Sequence, residues 1–190
     1  MEKVFVEEKT FEKQDYSQKS LPKGEYEFCQ FIKCDFSGSD FSDIRFLECE
    51  FSGCNLSMVN LGNTGLQDVI FRNCKMLGLN FENGTYFGLA LKVENCTLNH
   101  ASFYKVKLQN TTFKNSKMKE VIFLECDLSK SLFDDCDLEK ATFDNNNLQE
   151  GDFRTSYNYS IDPERNRLKG AKFSLSGAVG LLDKYQIEIG

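Results

Sequence analysis

Tryptophan is absent from this 190-residue chain, proline occurs only twice and histidine once. With one histidine, His100, no Ser–His–Asp or Cys–His arrangement can be placed, because its position in the repeat described below turns it away from every cysteine. A basic surplus is also missing. The net charge is −6, which argues against a general nucleic-acid binder, since that would need a cationic face to neutralise phosphates. No apolar run is long enough to span a membrane. The opening Met1 to Thr10 carries charges throughout, unlike a secretory leader. The expectation is a cytoplasmic protein. No glycine-rich phosphate loop occurs; Gly62 and Gly65, the nearest candidate, fall inside the repeat frame.

What is abundant is phenylalanine, with 18 copies. Every fifth residue from Phe31 to Phe81 is Phe, Leu or Met: Phe31, Phe36, Phe41, Phe46, Phe51, Leu56, Leu61, Leu66, Phe71, Met76 and Phe81. The rule resumes at Leu98 and holds through Phe103, Leu108, Phe113, Met118, Phe123, Leu128, Phe133, Leu138, Phe143, Leu148 and Phe153. Phe81 and Phe103 are 22 positions apart rather than 20, so two residues are inserted near Tyr86 to Val93. A period of five suits neither an α-helix nor a plain strand. It suits a chain that turns a corner every five residues and closes a square coil every twenty, with coils stacked at about 4.8 Å. In the second half Phe alternates with Leu or Met, which places Phe on two opposed faces.

Two positions before a centre the residue is usually small, and all eight cysteines occupy that slot: Cys29, Cys34, Cys49, Cys54, Cys74, Cys96, Cys126 and Cys136. Cysteines that slip in step with the apolar frame are core residues, and neither a metal site nor a cofactor is expected of them. Just before the centre there is often Asp or Asn, as at Asp35, Asp40, Asn55, Asp127, Asp137 and Asp152. Such side chains bond local backbone amides at corners.

These residues resemble the pentapeptide-repeat family motif A-(D/N)-L-x-x, over about residues 26–153. The resemblance implies an all-β fold, a right-handed quadrilateral β-helix. Residues 1–25 read as a lead-in and cap, and 154–175 as an irregular final coil that loses its apolar centres at Asn158 and Pro163. Residues 176–190 read as a short C-terminal helix with Ser176 as N-cap, then a strand-like tail. The segments FIKCDFSGSDFSDIRFLECEF and GLLDKYQIEIG are similar to the quinolone-resistance branch of the family. That likeness implies a homodimer through the C-terminus, with Val179, Leu181, Leu182, Tyr185, Ile187 and Ile189 at the interface. It also implies DNA gyrase or topoisomerase IV as partner, engaged by DNA mimicry rather than by enzymatic activity.

Charge bears on that implication. Residues 26–153 hold 19 acidic and 12 basic residues, far too sparse on average to pass as duplex DNA. Residues 92–119 hold six lysines and one glutamate, whereas residues 120–152 hold ten acidic residues and two lysines, a net of −8. The acidic segment spans roughly 8 Å of axis, where DNA would carry about five charges. The partner-binding candidates are therefore Glu120, Glu125, Asp134, Asp135, Glu139, Asp144 and Glu150. A scaffold for some other partner stays open as the alternative.

Overall fold

The computed structural model describes residues 3–81 and 89–188. Ile189, part of the insertion near Tyr86, and Gly190 lie outside them. The chain winds into a β-solenoid of about seven turns. Its first half contributes β1 (Val4–Glu7), β2 (Thr10–Glu12), β3 (Gly24–Glu27), β4 (Gln30–Ile32), β5 (Arg45–Leu47), β6 (Glu50–Ser52), β7 (Gly65–Gln67) and β8 (Val69–Arg72). The second half contributes β9 (Leu91–Glu94), β10 (Ser102–Tyr104), β11 (Thr112–Lys114), β12 (Ile122–Leu124), β13 (Leu132–Asp134) and β14 (Thr142–Asp144).

All pairing is parallel with a neighbour one coil away. Phe31 sits over Phe11 and under Phe51, and Phe123 over Phe103 and under Phe143. Coil length is therefore twenty, except where β8 meets β9: there Phe71 pairs with Val93, an offset of 22. Numbering faces along one coil, the centres Tyr26, Phe31, Phe36 and Phe41 define faces one to four. Face two is a single sheet of seven strands along the rod, in the order β13-β11-β9-β8-β6-β4-β2. In the first half the other strand-bearing face is face one (β1-β3-β5-β7), adjacent to it. In the second half it is face four (β10-β12-β14), opposite to it. The remaining faces are joined by isolated bridges such as Asp35↔Asn55 and Lys117↔Asp137.

The core is the row of centres. Phe103, Phe113, Phe123, Phe133 and Phe153 are fully buried. Rings of one column stack, with Phe113–Phe133 centroids at 5.0 Å and Phe133–Phe153 at 4.6 Å. Rings of opposed columns meet edge to face, as Phe123–Phe133 do at 6.0 Å. That combination of offset stacks and edges is the arrangement aromatic quadrupoles favour.

Where the slot holds a polar residue or a cysteine, it does more than fill space. Its side chain donates to a backbone carbonyl of the coil before: Cys54 Sγ to Phe31 O at 3.2 Å, Cys126 Sγ to Phe103 O at 3.2 Å, Ser131 Oγ to Leu108 O at 2.7 Å. Asn146 and Asn166 do the same through Nδ2, to Phe123 O and Phe143 O. Cysteine supplies that donor weakly, and Ala101, Val106 and Val121 fill the same slot without one. All eight cysteines are buried free thiols.

Where Asp or Asn precedes a centre, it makes Asx turns, as at three corners. Asp35 Oδ1 accepts from Ser37 N at 2.8 Å, Asp40 Oδ1 from Ser42 N at 2.9 Å and Asp127 Oδ1 from Ser129 N at 3.1 Å. The left-handed residue of each corner is another one, two positions after the centre. Lys33, Glu48, Met58, Glu120 and Lys140 all have φ between 50° and 59°.

The ends differ from the expectation in detail. Residues 4–21 are already a coil in register, with Val4 paired to Gly24 and Tyr16 stacked on Phe36. In the last coil Tyr159 and Ile161, 5% and 1% exposed, fill the space that Asn158 and Pro163 leave. The short C-terminal helix is of the 3-10 type, in two pieces, Gly177–Leu181 and Asp183–Tyr185. Ser176 makes no capping bond; Ser174 Oγ accepts from Gly177 N instead, at 3.0 Å. Gln186 to Glu188 form no strand.

Candidate interaction surface

Outward positions on this rod are the residue after each centre and the left-handed corner residue that follows. Their neighbours along the axis are the residues twenty before and twenty after. The seven acidic candidates occupy such positions all round the coil. Glu120 and Glu139 lie together where face three turns into face four, and Glu120 N donates to Glu139 O at 2.9 Å. Glu125 and Asp144 lie at the turn from face four to face one. Asp134 and Asp135 adjoin on face two, where Thr155 Oγ1 donates to Asp134 Oδ1 at 3.0 Å and accepts from Asp135 N at 3.0 Å. Glu150 stands alone at the corner between faces one and two. The arrangement is a ring around the axis.

The basic segment 92–119 is the coil directly beneath. Stacking therefore pairs the two: His100 Nδ1–Glu120 at 3.4 Å, Lys105–Glu125 at 3.5 Å, Lys114–Asp134 at 3.7 Å, and Lys119 with both Glu139 and Asp137. Asp144 binds Arg165 in the next coil at 2.6 Å. Asp135 and Glu150 form no ion pair among the described residues. On face two the sign alternates coil by coil: Arg72, Glu94, Lys114, Asp134, Arg154. Like charges directly opposite would repel across parallel strands, so alternation is the arrangement the ladder favours. Side chains this exposed are worth little individually.

The acids of the Asx slot are a separate group. Asp127 and Asp137 are held below the ordinary carboxylate range: burial works to raise them, and bonds from Ser129 and Gln109, or from Asn158 and Lys119, prevail. They belong to the corners.

At the C-terminal end the 3-10 turns are docked onto the final coil by polar contacts. Ile161 N donates to Gly180 O at 3.0 Å, Tyr185 OH to Glu164 Oε1 at 2.9 Å, and Lys184 Nζ bridges Asp162 and Glu164 at 2.7 and 2.6 Å. Leu181 packs inward against the core. Val179, Leu182, Tyr185 and Ile187 point out, 37–56% exposed. Leu175, 94% exposed, joins this apolar end and was not among the sequence candidates. Its place one helical turn before Val179, at i−4, was the signal that could have found it.

Two overlapping segments, residues 25–93 and 90–173, match the family described as Pentapeptide repeat region. The chain is a pentapeptide-repeat protein. No curated protein matches it in sequence. Among solved structures, two trypsin-treated variants of QnrB1, a plasmid-mediated fluoroquinolone resistance protein, superpose on this pentapeptide-repeat chain with TM-scores of 0.65 and 0.66. Identity is 19% and 22%; the alignments cover 99% and 98% of this chain and 98% and 92% of theirs. Full-length QnrB1 gives a TM-score of 0.58 at 19% identity, covering 97% of this chain and all of that one. Among the described residues no helix is long and apolar enough to cross a membrane.

Proposed function

We propose that this pentapeptide-repeat protein works by binding rather than by catalysis, and that it protects a type II topoisomerase, DNA gyrase or topoisomerase IV, from quinolones. The observation that carries this reading is the extent of the likeness. A structure of a fluoroquinolone resistance protein aligns over 99% of this chain and 98% of its own, ends included. A cytoplasmic location goes with it.

In this reading the acidic coil, net −8 over residues 120–152, takes the place of DNA on the enzyme. Sign alternation restricts how. Carboxylates already paired within the rod have little charge left to offer, so Asp135 and Glu150 lead the contact. The outward apolar end, centred on Val179, Leu182 and Tyr185, joins two copies and brings two acidic coils toward the middle of the dimer. The same alternation favours a second reading, a protein-binding rod whose partner is not a topoisomerase.

A gyrase supercoiling assay with ciprofloxacin, titrated with the protein, separates them. Protection should weaken as salt rises, because exposed charges act through a screened field. Replacing Asp135 and Glu150 by Asn and Gln should reduce it without loss of fold. A dimer that leaves quinolone inhibition of both enzymes unchanged at every salt concentration would reject the topoisomerase reading and keep the second.

A further inference from the structure

The final coil leaves the repeat most sharply at Pro163. In a regular coil the residues on either side of a face-four centre lie on the outer side, as Thr142 and Asp144 do around buried Phe143. In the last coil Pro163 takes the place of the centre and is exposed, and its neighbours are Asp162 and Glu164. The turn they form is fixed from below. Asp162 Oδ1 accepts from Glu164 N at 2.8 Å, and buried Asn166 donates through Nδ2 to Asp162 O at 3.0 Å and to Phe143 O at 2.9 Å. Proline removes one backbone torsion as well. Two carboxylates are thus held in place by the core before anything docks on them.

Lys184 docks there. Its ammonium lies between both carboxylates, and the side chains of Lys184 and Asp162 are only 21% and 26% exposed. The same ammonium stands 4.9 Å from the centre of the Tyr185 ring, while Tyr185 OH donates to the other oxygen of Glu164. An isolated exposed ion pair contributes little. Here Asp162, Lys184, Glu164 and Tyr185 hold one another through charge-assisted bonds, and each bond orients the next. Ile161 N, donating to Gly180 O, ties down the first 3-10 turn beside this network. The segment so seated is the one that turns Val179, Leu182 and Tyr185 outward. Tyr185 belongs to both sets: its hydroxyl is tethered to the rod, and its side chain is half exposed at the apolar end.

We infer that Asp162, Glu164 and Lys184 form an intramolecular latch that sets how strongly this chain binds a second copy of itself. The partner copy meets a complete apolar surface only while the 3-10 turns are seated, and the three latch residues act from behind that surface. The inference rests on the reading that this end joins two copies. Both protomers must be latched, so the apparent Kd of the dimer rises as the inverse square of the latched fraction. A fall of that fraction from near one to about a third raises Kd about tenfold.

Sedimentation equilibrium of the full chain over a dilution series measures Kd, and hydrogen exchange of the Ile161 amide, read by NMR, measures seating of the turns. Lys184→Met keeps an apolar stem and removes the ammonium; Asp162→Asn with Glu164→Gln removes the charge it meets. Each should raise Kd about tenfold, speed exchange at Ile161 and leave the circular dichroism of the rod unchanged. Lys184→Arg, whose guanidinium can also span two carboxylates, should keep Kd within about threefold of the unaltered chain. Because the latch closes within one chain, Lys184→Met should speed Ile161 exchange equally in a chain made monomeric by Val179→Glu with Leu182→Glu. A dimer whose Kd is the same in Lys184→Met and in the carboxylate variant overturns the latch and leaves the dimer standing. So does Ile161 exchange that ignores Lys184 in the monomeric chain. An unaltered chain that stays monomeric at every concentration removes the dimer reading, and the inference with it.

Discussion

Phe133→Ala is the sharpest test of the stacked core. The ring is fully buried, lies 5.0 Å from Phe113 below and 4.6 Å from Phe153 above, and meets Phe123 and Phe143 edge-on at 6.0 and 6.2 Å. Truncation removes the buried ring and leaves a cavity, a loss of about 3–5 kcal/mol. The cavity cannot collapse easily, because β13 is fixed in register to β11 on one side and bridged through Leu132 to Asp152 on the other. The upper half of that range is therefore expected. For a chain of this length ~4 kcal/mol corresponds to a fall of about 8–16 °C in Tm. Each coil touches only its neighbours, so the loss is local in origin. Urea unfolding followed by far-UV circular dichroism measures it, and a second transition in the variant would report the two flanking segments coming apart. Leu175→Ala, at a side chain 94% exposed, is the control and should change stability by less than about 0.5 kcal/mol. A loss below ~1 kcal/mol at Phe133 would refute the claim that the columns carry the fold.

Other outcomes follow from the same contacts. All eight thiols are buried, so a thiol reagent at pH 8 should find almost no accessible group in the native protein and eight after denaturation; at Cys49 and Cys136 burial also pushes the thiol up to about 12. Cys126→Ser should be nearly neutral, whereas Cys126→Val should lose ~1 kcal/mol, because only serine keeps a donor for Phe103 O. Burial works to raise Asp40, but bonds from Lys23 and Ser42 prevail and hold it near about 2. Its folded value is depressed, so its contribution is present above the ordinary carboxylate range and is lost as pH falls toward 2. Asp40→Asn should flatten the acid side of the stability profile between about pH 4 and 2, as read by urea midpoints. Val179→Glu with Leu182→Glu should give a monomer of 21.8 kDa by light scattering with the circular dichroism spectrum unchanged.

The repeat frame, the opposed Phe columns, the thiol slot and the Asx corners were all legible, because each is a residue type recurring at a fixed spacing. Three things were not. The left-handed corner position accepts Lys33, Met58 and Glu120 alike, so no composition marks it. Tyr159 fills the last coil from the position after the centre, which faces outward elsewhere on the rod, and Ile161 fills it from the slot two before Pro163, so a search for apolar centres alone does not look there. Val179, Leu182 and Tyr185 recur every three residues, a spacing that α and 3-10 turns share. What decides between them is the close seat of Gly177 and Gly180 on Tyr159, a tertiary contact. At the candidate surface the sequence located the acidic residues, but it did not reveal that a twenty-residue coil lays Lys105, Lys114 and Lys119 directly under Glu125, Asp134 and Glu139.

The seven-stranded face runs past the insertion without interruption, since Val69–Arg72 and Leu91–Glu94 remain hydrogen-bonded partners at an offset of 22. The coils before and after the insertion thus stay joined along face two. The rod behaves there like a spliced cable whose main strand is uncut. A longer peptide grafted between Phe81 and Leu91 should ride outside the stack at the entropic penalty of a loop alone, which grows only slowly with length. This makes the junction the natural place for the protein, or for an engineer, to acquire a new recognition element without rebuilding the core.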